Sequence, residues 1–167
     1  KTAKGTTQWG FESLPLRTPR DRNMIQTVSD EESHVSPELT SLIESYMAAI
    51  LARLDLGYWR VYVAADKPRE EAILSIEPTD GRRVAMLYVS ENWDSRTPED
   101  KRIDITHEAL HLAHHDVDSH IRMFFDGSGD VSDYVKTIVI DGFKTELERM
   151  VDSLSYVLAP HMPEWVE

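Results

Sequence analysis

The chain has 167 residues, a formal charge of −12 and no cysteine. That length is one domain's worth and enough to bury a core. The acidity argues against nonspecific affinity for nucleic acid or an anionic membrane, and the missing cysteine excludes disulfides and thiolate metal sites. No apolar run approaches a membrane span, and the opening residues carry no signal-peptide pattern.

Residues 1–35 are polar, interrupted by Gly5, Gly10, Pro15 and Pro19, and without sustained periodicity. They read as an extended or disordered arm. Up to Asp30 the arm has five basic residues against three acidic ones, a net of +2, so the remainder carries −14 (−12 minus +2). Such an arm is either a mobile tail or docks on its own acidic domain or on a partner, with Trp9, Phe11 and Leu16 as apolar anchors.

Ser36-Pro37-Glu38 is a helix-start signal, and Leu39, Leu42, Ile43, Tyr46, Met47, Ile50, Leu51 and Leu54 follow at helical spacing, with Gly57 closing the element. Three strand-like runs come next, at Trp59–Ala64, Ala72–Ile76 and Arg83–Ser90, separated by the turn-forming Asp66-Lys67-Pro68 and Pro78-Thr79-Asp80-Gly81. Hairpin connections make this a small, mainly antiparallel sheet. If its last strand is an edge, that edge is a rail for an extended peptide.

Thr97-Pro98-Glu99-Asp100 then supplies a capping hydroxyl, a proline for the first turn and helix-favouring acids. The predicted helix runs from Pro98 to about His115 and carries His107-Glu108-Ala109-Leu110-His111, the pattern H-E-x-x-H. Two imidazoles one turn apart on one face can converge on a cation. Glu108 projects about 100° away, where it can act on water without occupying the metal. Of the histidines that follow, His114 lies close to the metal-facing side and takes a supporting role behind the ligands. The longer pattern HExxHxxGxxH is not met, since His114 stands in place of its glycine and Val117 in place of its last histidine. Asp126-Gly127-Ser128-Gly129-Asp130 lacks the sixth-position glycine and closing glutamate of a calcium loop and reads as a turn with a helix cap.

A last helix spans about Val131 to Leu158, with Val135, Ile138, Val139, Phe143, Leu147, Met150, Val151 and Leu154 as its apolar stripe and Gly142 marking a bend or a close approach of another backbone. Glu148 on the flank of that stripe is the preferred third metal ligand. It alone has a carboxylate one turn on, Asp152, able to orient a ligand imidazole; Glu146 is the competitor.

With His107-Glu108-Ala109-Leu110-His111 followed by Glu148-Arg149-Met150-Val151-Asp152, an E-x-x-x-D, the chain resembles the gluzincins, the thermolysin-like zinc peptidases. The order helix, small sheet, motif helix, glutamate helix is similar to compact ImmA/IrrE-type metallopeptidases. Val151-Asp152 stands where that family more often has Ala-Asn. The resemblance implies an α+β, zincin-like domain over residues 36–167 and a cytoplasmic enzyme of bacterial or mobile-element origin. It further implies Zn²⁺ on His107, His111 and Glu148, Glu108 as general base, and a peptide or protein substrate. Tyr134, His120, Tyr156 and His161 are the candidates for stabilising an oxyanion. The alternative is a zinc-stabilised binding or structural protein of the same fold without turnover.

Overall fold

The computed structural model describes residues 34–68, 72–79, 81–127, 129 and 131–166. The arm's proposed anchors Trp9, Phe11 and Leu16, and Ser128 and Asp130 of the glycine-rich turn, lie outside the described residues. The architecture is α+β, with three helices and one three-stranded sheet among the described residues. None of these helices is long and apolar enough to cross a membrane.

Helix α1 (Pro37–Arg53) starts where Ser36 Oγ accepts the Leu39 N–H at 3.2 Å. Its buried side, Ile43, Tyr46, Met47, Ile50 and Leu51, is one wall of the core. The left-handed residue after it is Asp55, at φ 60, rather than Gly57. His34 and Val35, read from the sequence as the end of the arm, are seated in the fold. Val35 is buried, and the two ring nitrogens of His34 bond the carbonyl oxygens of Ala65 and Val89.

Strands β1 (Arg60–Val63), β2 (Leu74–Pro78) and β3 (Val84–Val89) are ordered β1-β3-β2. β1 and β3 pair in parallel, β2 and β3 antiparallel. The sheet is therefore mixed rather than mainly antiparallel, and the strand expected to offer an edge, β3, is central. Its run Val84-Ala85-Met86-Leu87-Tyr88-Val89 is apolar on both faces, as suits a strand flanked on both sides. Only the second turn closes a hairpin, using Gly81 at φ 67. The segment after β1 instead carries the chain past β3 to the far edge, where β2 lies open.

Helix α2 (Pro98–Gly127) is capped by Thr97, whose Oγ1 accepts the Asp100 N–H at 3.1 Å. It extends 12 residues beyond His115, the expected end, because no glycine or proline interrupts it before Gly127 and Asp118 pairs with Arg122 one turn on. Its first half drives Ile105, Ala109 and Leu112 into the core against α1 and the sheet. Lys101, fully buried, lies between the Trp93 and Trp165 rings and reaches Asp94 at 3.3 Å. Helix α3 (Asp133–Leu158) starts at a Ser132 cap and returns antiparallel along α2. Its expected apolar stripe is buried only near the end, at Val151; Val135, Ile138, Val139 and Met150 are exposed. The sheet never reaches the first half of α3, so that half has no core to enter.

Candidate metal centre

Because α2 is continuous and capped, His107 and His111 stand one turn apart on the side facing α3, with their Nε2 atoms 3.0 Å apart. Glu148, descending on α3, brings Oε2 to 3.7 Å from the first and 3.6 Å from the second. A tetrahedral ion with bonds of roughly 2.0–2.1 Å holds its ligands roughly 3.4 Å apart. A triangle with sides of 3.0, 3.6 and 3.7 Å is thus of the size a single such ion requires. Among the described residues these three form the group of histidine and acid side chains close enough to share an ion.

The protonation states suit that task. Burial, and then the charge of a neighbouring histidine (His111 for His107, His114 for His111), push both imidazoles below the usual histidine range. Neutral rings keep a lone pair for a metal. Asp152 Oδ1 lies 3.1 Å from His107 Nδ1, so Nδ1–H donates outward and the lone pair stays on Nε2, facing the centre. Asp152 is one turn beyond Glu148, so α3 supplies both the third donor and the group that orients the first.

Glu108 points to the sheet side, only 6 % exposed. Burial first, then the charge of Glu148, raise its carboxyl to about 8, against a hydrogen bond from the Ile76 backbone N–H that lowers it. Ile76 sits on the open edge of β2. Ser90 donates to the Ile73 carbonyl and Thr79 to the Val84 carbonyl, so the odd-numbered residues of β2 pair with β3. The main chain of Leu74, Ile76 and Pro78 therefore faces away from β3, toward α2.

Between that edge and α2 lies a cleft of about 760 Å³, bounded by Leu74, Ile76, Pro78, His107, His111 and Glu148. A second cavity of about 230 Å³ continues past His107 toward Ile73, Asp104, Asp152 and Tyr156.

His114 also lines the larger cleft. Glu146, the competing ligand, is turned out to Arg149 at 2.7 Å. Of the four candidates for an oxyanion only Tyr156 borders the centre, in the smaller cavity. Tyr134 is 75 % exposed and 14 residues before Glu148, roughly 21 Å along the helix. His120 bonds its own helix at the Asp116 carbonyl. His161, in the turn after α3, borders neither cavity. Sequence reasoning overlooked the β2 edge and Ile76; the available signal was Pro78, since a proline inside a strand marks an edge.

Comparison with protein-family models, with curated proteins and with solved structures gave no match.

Proposed function

We propose that this protein is a zinc-dependent endopeptidase. The observation that carries the reading is the His107–His111–Glu148 triangle, set beside a buried glutamate and an open strand edge in one cleft. The donors, two imidazole nitrogens and one carboxylate oxygen, favour zinc and leave a coordination position for water or substrate. When bound, such an ion supplies Lewis acidity, which polarises a carbonyl and acidifies water.

The chain's own groups do the rest. Glu108 takes the proton of the attacking water and returns it to the leaving amine. The outward carbonyls of Leu74 and Ile76 accept main-chain N–H groups of an extended peptide, holding it along the cleft as an added strand. Tyr156, at the far side of His107, is the hydroxyl available to the oxyanion. Asp152 keeps His107 in the ligating tautomer.

A purely structural metal site has no use for a base beside the ion. Incubation of the zinc-loaded chain with a mixed peptide library, alongside Glu108→Gln, tests the reading. Cleavage by the parent that disappears in the variant, at equal zinc content, supports it. No cleavage by the parent leaves the zinc-stabilised binding protein as the better account.

A further inference from the structure

The larger cleft runs well past the metal centre, and most of its floor is not needed to hold an ion. By helical spacing, His107, His111, His114, His115, Asp118 and Arg122 fall within an arc of roughly 100° on α2. All six border the cleft, and between His107 and Arg122 that arc holds no other residue. One face of the helix is therefore polar over its whole run along the cleft, and a metal takes only the first two residues. His114, His115 and Asp118 are half-buried rather than turned to open solvent.

The strand edge covers only part of this length. β2 runs in the same direction as α2: Leu74 shares the smaller cavity with His107, while Arg83, beside the turn that follows Pro78, bonds Asp116. The five residues of β2 span roughly 14 Å, whereas His107 to Arg122 is roughly 22 Å of helix. Asp118 and Arg122 thus lie beyond the end of the sheet, where no strand remains to hold a peptide by its main chain and recognition passes to side chains. They form an ion pair of 2.7 Å, with the arginine side chain 46 % exposed and the aspartate 24 %, so the guanidinium is the part an incoming chain meets. On the other side of the metal centre the smaller cavity reaches back only to Ile103, about 6 Å along the helix from His107.

We propose that the cleft is a one-sided peptide groove, holding about five extended residues before the scissile bond and about two after it. Arg122 closes the long side, donating to oxygens of the bound segment. The direction follows from strand pairing. Added antiparallel to β2, the more stable arrangement, a peptide runs from Pro78 toward Leu74, so residues N-terminal to the scissile bond lie toward Arg122. The substrate class is accordingly an extended polypeptide segment, longer than a di- or tripeptide. The groove takes its meaning as a substrate site from the endopeptidase reading, on which this proposal rests.

Peptides ending in a C-terminal hydroxamate, a metal-binding group that fixes the register, test the groove without turnover when bound to the zinc-loaded full chain. Lengthening a mixed-sequence series from two to five residues should tighten the apparent dissociation constant roughly tenfold. A matching series with the hydroxamate at the N-terminal end sends its residues the other way and should gain less than about twofold beyond its second residue. Arg122→Gln, at equal zinc content and helicity, should erase the gain from the fourth and fifth residues. No gain beyond the third residue in the first series overturns the proposal. So does a larger gain in the second series, or a gain that survives Arg122→Gln. If the gain with length appears but the peptide library is not cleaved, the endopeptidase reading fails and the groove stands; if neither series binds, both fall.

Discussion

The near and far halves of the α2–α3 hairpin are made of similar residues and live in different surroundings. Between Lys101 and Leu112, α2 buries seven side chains, and the end of α3 buries Val151 and Ser155 beside them. From Ala113 onward α2 has no fully buried residue among those described. The boundary is marked by Arg83, which grips Asp116 with both terminal nitrogens (2.9 and 2.7 Å) and lies over the Tyr58 and Trp59 rings. The candidate metal centre sits wholly in the near half, where α2 packs against the sheet. The lesson is that helix periodicity only says a stripe is apolar; what covers the stripe is decided by where the other layers end.

The largest expected effect is on chemistry in the near half. Glu108→Gln should lower peptide hydrolysis roughly 10²–10⁴-fold, the usual worth of a positioned base, with zinc content unchanged. Next come packing effects, which separate the halves most sharply. Ile105→Ala, at a site with no solvent exposure, should destabilise the fold by about 2–5 kcal/mol in chemical denaturation. Val139→Ala in the far half should change stability by less than about 1 kcal/mol. Equal losses at the two positions would contradict the division.

Asp152→Ala is expected to weaken zinc binding about 10–100-fold while leaving the three donors in place; a competition titration with a chelating dye reads this directly. A further effect is on pH dependence. Glu108 holds its proton up to about 8 in the metal-free fold and only to 4.5 when unfolded. Its stabilising contribution is complete below about 4.5 and is lost as pH rises toward 8, at up to about 1.4 kcal/mol per pH unit. Denaturation of metal-free protein at several pH values should show this decline, and Glu108→Gln should flatten it.

What could be read from the chain follows the same physical divide. Local signals were sufficient for two helix starts: Ser36 and Thr97 each accept the backbone N–H three residues on, whereas the third cap is Ser132, just beyond the turn to which the cap was assigned. The spacing of His107 and His111 forces them onto one face in any helix, and Glu148 was preferred over Glu146 because Asp152 follows it. Strand order was beyond local signals. Nothing short-range tells that β3 slots between β1 and β2, since the parallel β1–β3 pairing joins segments more than 20 residues apart. The apolar run of β3 and the proline of β2 were the clues to centre and edge. Nor could the stripe of α3 reveal that half of it stays open, because that depends on the sheet ending near Arg83.

The central claim, that His107, His111 and Glu148 share one divalent ion, is tested most directly by zinc stoichiometry after exhaustive dialysis, comparing the parent chain with His111→Ala. The account predicts one zinc per chain in the parent and essentially none in the variant, with both remaining folded by circular dichroism. A variant that keeps a full equivalent of zinc, or a folded parent that binds none, would contradict it.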